Sequence, residues 1–539
     1  MARALAAAIA VSLLAVSGAG GAGAQTPKRG GTVVVSNVTA PCLNALLPKC
    51  NFAFRQAEEV LEGAFEPDPN GVLRPRLVTH VDVEKTPPST LTYHIRREAR
   101  WSDNVPITAH DFVFTHEAVL RHDSPEFLEV YRSVVRRVSV VDAKTVRVVL
   151  QRKYAGWRGL LFWVVVPRHA LRGEDLERVW IDRIDNPKTG EPIGSGPLLV
   201  ESWEREGRFK ARLTLVRNPR YWGKHTAYLD RVVLRGWGPE EFEDAAEALE
   251  KGAIDVINGS IPEPSVVLDI RRLHPNIRVS TADGANLQHV AIRMLAPGHP
   301  ALRDKRVRRA LAYGIDRAAL ATTLYGQVAP ALRPSDSVVF HTRSPHYRPN
   351  WKEYAYRLDE ARRLLEAVCD RGADGIFVCA GERLELRLVA QPSTRNRNTA
   401  PILQEQLRRV GVDVVPVFAD SSTVRRILDA GDFDLALLSL VYTPDQTGWV
   451  DSFGCDGPFN VMRYCQRLAT ADLDQADRIF DAGQRARVLN RADARMAKDV
   501  PVIPLYNAPT YAAVRSNVRG YVPSFPFALW RAENLWLER

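Results

Sequence analysis

Apolar positions in this chain alternate between two periods. Short runs with period two, rich in Val, Leu and Ile, read as strands, and between them apolar residues recur at spacings of three and four, as on one face of a helix. "TVVVS" (32–36) is the first such strand, after a Gly pair. "LTYHIRREARWSD" supplies another, and "SVVRRVSVVDAKTVRVVLQR" two more around a turn at Asp142-Ala143-Lys144. "PIGSGPLLVESWE", "ARLTLVRNPRYWG" and "YLDRVVLRGW" add strands. "PEEFEDAAEALEKGAIDVI" predicts a helix with Phe242, Ala245, Ala246 and Leu249 on one face, Gly252 as its stop, and a short strand. The second half repeats the texture. "ALRDKRVRRALAYGIDRAALATTLYG" reads as a helix pair that buries Val307, Ala310, Leu311 and Ile315. The strands "LELRLVA", "VDVVPVFAD" and "DFDLALLSLVY" enclose the helices "TAPILQEQLRRVG" and "STVRRILDAG". "VPVIPLYNAPTYAAVRSNVRGY" returns to strand. The class is α/β.

One polar-rich stretch interrupts this pattern. "ARWSDNVPITAHDFVFTHEAVL" (99–120) holds Ser102, Asp103, His110 and Asp111, residue types that run hydrolytic chemistry. A triad needs converging side chains, and a strand–turn–helix run does not supply them. Thr108 stands at an N-cap position with Asp111 three residues on, and Phe112, Val113, Thr115, His116, Val119 and Leu120 follow at helical spacing. This is read as a helix start.

Length and composition narrow the class. The chain has 539 residues, 45% hydrophobic and 25% charged, which fits two or three folded domains. The formal charge of +10 is spread among acids, with no basic stripe or nucleic-acid module, so nucleic acid is not an expected partner. Residues 1–24 read as an export signal. Arg3 is the positive end, Leu5 to Val16 are apolar, and Ala22 to Ala24 form a small-residue cleavage site before Gln25, with no lipid-anchor cysteine nearby. A periplasmic or secreted protein follows, and the cysteines agree. Cys42, Cys50, Cys369, Cys379, Cys455 and Cys465 fall in three local clusters, for which the pairing 42–50, 369–379 and 455–465 is the most economical. The spacing fits no zinc site. Asp370 and Asp374 fit no calcium loop and read as a turn clipped by Cys369 and Cys379. No metal or cofactor is expected.

Eight stretches, in order, resemble the family 5 extracellular solute-binding proteins, the oligopeptide, dipeptide and nickel receptors of ABC importers. They are "YHIRREARWSDNVPITAHDFVFT", "IGSGPLLVESWE", "LVRNPRYWG", "ALEKGAIDVI", "RDKRVRRALAYGIDRAAL", "ILQEQLRRVGVDV", "DFDLALLSL" and "PVIPLYN". Asn104 departs from the family's usual Gly. The resemblance implies a two-lobed periplasmic-binding-protein-like fold (type II, three-domain oligopeptide-receptor architecture). It places a first lobe at 28–70, 191–285 and 509–539, an inserted domain at 71–190 and a second lobe at 286–508. It further implies a monomeric receptor that closes on a small ligand, most simply an oligopeptide, and hands it to permease subunits.

The family's anchoring Asp for the ligand's amino group lies in a loop that corresponds to "VYTPDQTGWVDSFGCDG" here. Asp445 is the nearest match, flanked by Tyr442 and Trp449, with Asp451 and Asp456 as alternatives. The family's Gly-Trp is Leu440-Val441 in this chain and its Asp-Pro is missing. His289 alternates with apolar positions and is a further candidate contact, although a strand histidine satisfied within the core has the same pattern. Trp157, Phe162 and Trp163 read as core. The rival classes are a secreted hydrolase, for which no G-x-S-x-G, H-E-x-x-H or Walker pattern is present, and a binding protein used for sensing.

Overall fold

The computed structural model describes residues 26–37, 42–47, 50, 57–69, 71–121, 125–205, 211–236, 242–260, 264–443, 445–522 and 531–538. The export signal over 1–24 lies outside them. Two strands organise the rest: Ile277–Ile292 with 16 residues and Val502–Arg515 with 14. At about 3.3 Å per residue each is long enough to serve two sheet halves. They pair antiparallel with each other in the middle of a ten-stranded sheet. One flank adds Leu435–Val441, Glu385–Ala390 and Asp413–Phe418. The other adds Val256–Ser260, Thr32–Asn37, Arg231–Gly236, Ala211–Arg217 and Leu198–Arg205.

The long strands change neighbours along their length. Residues 286–292 pair with Leu435–Val441, while 510–514 pair with Val256–Ser260. Between these halves the register slips, from Asp283 opposite Pro509 to Leu287 opposite Asn507. Gly284 sits in the slip, where a Cβ would stand 2.3 Å from the Ala508 carbonyl oxygen, so only glycine permits this approach. The strands thus cross from one half to the other at a weakened point. Expectation divided the chain at 285/286 and 508/509, beside this slip.

A separate antiparallel sheet has the order Val78–Glu84, Thr90–Ile95, Thr145–Leu150, Val135–Asp142. Alternation in Thr90–Ile95 sends Leu91, Tyr93 and Ile95 inward. The Tyr93 ring meets Trp157 edge-on at 5.9 Å and Phe162 at 5.1 Å. Trp157 and Phe162 are core as expected, and Trp163 is half-buried. Ser133 and Val134, read as strand from their sequence, instead belong to the helix Pro125–Val134, whose last residue abuts the strand Val135–Asp142.

The 99–120 stretch is a helix start. The helix is Ala109–Arg121, and the Asp111 carboxylate accepts from the Thr108 N–H at 2.8 Å and from the Arg168 N–H at 2.9 Å. Its Thr108 half differs from a full capping box, since the Thr108 hydroxyl donates to Asp111 at 3.2 Å. Ser102 Oγ donates to the Pro192 carbonyl and accepts from the Gly194 N–H, while Asp103 holds His169 at 2.7 Å. His110 is exposed. Ser102 and Asp103 thus tie this stretch to residues 169–194. All three expected disulfides are formed, and Cys369 faces Cys379 across a short hairpin. Asp374 accepts from the Ile376 N–H in its turn. No helix among the described residues is long and apolar enough to cross a membrane.

Candidate functional site

Strand Leu435–Val441 carries the chain from the sheet interior to the loop 442–448, and the short helix Trp449–Phe453 ends that loop. Gly448 caps this helix at φ +82°, a conformation that suits glycine and turns Trp449 inward. Tyr442 is fully buried. Its N–H donates to the Ala285 carbonyl at 3.2 Å and its hydroxyl to the Ser337 carbonyl at 3.3 Å. The Trp449 ring meets it at 6.0 Å and His341 meets it edge-on at 5.6 Å. The tautomer of His341 follows from its neighbours. Nδ1 accepts from the Arg343 N–H at 3.0 Å, so Nε2–H donates to the Gly284 carbonyl at 3.1 Å. Burial holds that imidazole neutral, its pKa lowered to about 4. Tyr442 and His341 therefore tie the loop's root to the slip in the long strands.

The loop faces residues 154–155, which follow the four-stranded sheet. Tyr154 Oη lies 3.3 Å from Thr447 Oγ1, and the Ala155 N–H donates to the Asp477 carbonyl at 2.6 Å. Asp477 ends the helix Arg467–Asp477, and its carboxylate accepts from the Gly448 N–H at 3.1 Å. Burial pushes that carboxyl up to about 7, with Asp451 adding to the rise and the Gly448 bond and Arg152 opposing it. Asp445 lies in the same seam. Burial raises its carboxyl too, against the Arg158 and Arg485 guanidiniums nearby and a hydrogen bond from the Gly159 N–H. Its Oδ2 is buried without a hydrogen-bond partner, as are Gln446 Oε1 and Trp449 Nε1. The Asn507 carboxamide, beside the Tyr442 phenol at the slip, also completes no hydrogen bond of good geometry. Buried polar atoms in a folded chain are normally paired, and a cluster of exceptions calls for a reason.

Of the residues singled out from sequence, Asp445, Tyr442 and Trp449 are brought together in this loop. Asp451 is half-buried one turn away, and Asp456 is exposed. His289 stands in mid-sheet, opposite Leu438 and Pro504, its Nδ1 3.4 Å from the Leu287 carbonyl oxygen. It is buried, and that burial lowers its pKa to about 4. Sequence reasoning missed Asp477, Arg158 and Arg485. A signal for Asp477 was present. An acid in line with Ala469, Leu473 and Ala476, at a helix C-terminus where the macrodipole disfavours negative charge, is out of place unless something uses it.

Residues 72–458 match the bacterial extracellular solute-binding proteins, family 5 Middle. The oligopeptide-binding protein OppA of Mycobacterium tuberculosis is 27% identical over 473 residues, covering 84% of this chain and 75% of that protein. The oligopeptide-binding protein AppA of Bacillus subtilis is 23% identical over 531 residues, 96% of this chain and 93% of its own. Among solved structures, a periplasmic EDTA-binding protein, EppA, superposes with a TM-score of 0.83 at 21% identity, covering 96% of this chain and 98% of that one. AppA of Bacillus subtilis in complex with a nonapeptide gives 0.74 at 20% identity, covering 95% and 100%. The structural likenesses cover nearly the whole chain, and the family match spans the four-stranded sheet and the Asp445 loop. This chain belongs to the bacterial extracellular solute-binding proteins, family 5.

Proposed function

We propose that the protein is the exported receptor of an ABC importer and that it captures a short peptide between its lobes, with the peptide's α-ammonium going to Asp445. The observation that carries this reading is the half-buried Asp445 at the seam between residues 154–159 and the 442–448 loop, whose carboxyl meets the Gly159 N–H while Oδ2 is buried and unpartnered. Gln446 Oε1 beside it is a second acceptor without a donor. An ammonium supplies three N–H donors and a compensating charge. Tyr442 and Trp449 back the loop and fix where the carboxylate stands. Relatives named as oligopeptide-binding proteins support the ligand class. Handover to permease subunits by a monomeric receptor completes the reading.

The test is calorimetry with a peptide identified by native mass spectrometry of the purified protein, and with its N-acetylated form. Acetylation removes the ammonium, and Asp445→Asn removes the carboxylate charge. Breaking a buried charge pair costs roughly 3–5 kcal/mol, so each change should weaken binding at least about a hundredfold. Asp445→Asn should then no longer discriminate between the two peptides. Equal affinity of the wild type for both peptides would refute the anchor, and hydrolysis of the peptide would refute the receptor reading.

A further inference from the structure

The outer face of the four-stranded sheet carries a cluster that the interlobe site does not use. In Val78–Glu84 the register slips between Val78 and His80, and His80 and Asp82, two positions apart, then share the solvent face. His94 is the direct cross-strand partner of His80. Their rings stack with centroids 4.2 Å apart and planes 10° from parallel. His94 Nε2 lies 2.8 Å from one Asp82 oxygen and His80 Nε2 3.9 Å from the other. One ligand atom from each of the three residues lies within 4.8 Å of the others.

A neighbouring hydroxyl can hold the metal-binding tautomer of His80. Thr79 has one hydroxyl proton, which it donates to the His94 carbonyl at 3.2 Å. The same oxygen is 2.9 Å from His80 Nδ1 and, while its proton is on that carbonyl, accepts there. In the tautomer with its proton on Nδ1, His80 donates to this hydroxyl and its Nε2 lone pair is free on the Asp82 side for a metal. Metal-binding imidazoles are commonly oriented this way, through a hydrogen bond from the far nitrogen. A surface His–Asp hydrogen bond accounts for His94 and Asp82 alone. It does not account for a second imidazole stacked in register with its Nε2 directed at the same carboxylate.

We propose that His80, Asp82 and His94 form a surface site for a late first-row divalent cation (copper, nickel or zinc). Two imidazole nitrogens and a carboxylate oxygen are the donor set such ions accept, at distances of about 2.0–2.2 Å. All three side chains are at least one-third solvent-exposed, so small rotations bring the donors in, and water fills the remaining positions. On binding, His94 takes the Nδ1–H tautomer and presents Nε2 to the metal. The site lies on the solvent face of the four-stranded sheet, opposite the face that packs on Trp157, and shares no residue with the Asp445 loop.

The test uses the untagged mature chain in equilibrium dialysis against Cu²⁺, Ni²⁺ and Zn²⁺, with electron paramagnetic resonance of the copper form. The wild type should retain one equivalent, and the copper spectrum should show coupling to two nitrogens. His80→Ala and His94→Ala should each raise Kd at least about tenfold and leave coupling to a single nitrogen. Circular dichroism and peptide affinity should be unchanged. Absence of stoichiometric metal, or undiminished retention by the double variant, would overturn the proposal.

Discussion

Replacing Asp477 by Asn tests whether the seam stores electrostatic cost. The Asn keeps an oxygen that can accept from the Gly448 N–H, now 3.1 Å from the carboxylate, but carries no charge. In the folded chain burial raises the Asp477 carboxyl to about 7, against about 3.9 in an unfolded chain. Between those values the folded state binds one more proton than the unfolded state, so stability falls as pH rises. The favourable contribution is complete below about pH 4 and is lost once pH passes 7. A shift of about three units at 1.36 kcal/mol each amounts to roughly 4 kcal/mol. Asp477→Asn should therefore match the wild type near about pH 4 and be more stable at about pH 8 by roughly 2–4 kcal/mol, allowing for relaxation. Urea unfolding of both proteins across this range reads the difference. Other titrating groups, such as Glu62, which burial also raises to about 7, cancel in the comparison. A stability difference that does not change with pH would refute the argument, as would an Asn variant less stable than wild type at the alkaline end.

Asp493 is fully buried and accepts from the Val338 N–H, Asn350 Nδ2 and Trp351 Nε1 at 3.1, 2.8 and 2.9 Å. Asp493→Ala strands these donors and should destabilise the protein by about 3–5 kcal/mol in chemical denaturation; a loss under about 1 kcal/mol would show that water replaces the carboxylate. Gly284→Val puts a Cβ against the Ala508 carbonyl oxygen and should lower stability by about 1–3 kcal/mol. It should also weaken ligand binding, and unchanged affinity would mean that the strand slip has no part in closure.

Much of the fold was legible in the residues. Thr108 and Asp111 mark a helix start that the structure contains, and the period-two runs at 385–390, 413–418 and 435–441 are all strands. The continuous strands were harder to read. Asp283-Gly284 resembles a turn in sequence, but Gly284 serves a close approach to Ala508, and only the partner strand reveals that. The loop holding Asp445, Tyr442 and Trp449 was reached through family resemblance. Its counterparts were not, because Arg158 in "GWRGLLFW" and Arg485 in the helix Ala482–Asp499 are remote in sequence. Contacts between segments some three hundred residues apart leave no local period. Asp477 alone carried a readable signal, an acid in a buried stripe at the wrong helix end.

The central claim is that two halves joined by crossing strands close on a ligand. On this account the seam contacts Tyr154 to Thr447 and Ala155 to Asp477 form when the halves close. A ligand that bridges the halves favours that arrangement through its higher affinity for it. Small-angle X-ray scattering measures this directly on the mature protein, stripped of ligand and then saturated with the compound found by native mass spectrometry. The saturated sample should have the smaller radius of gyration and a scattering curve that fits the structure described here. Identical curves for the stripped and saturated samples would contradict the account.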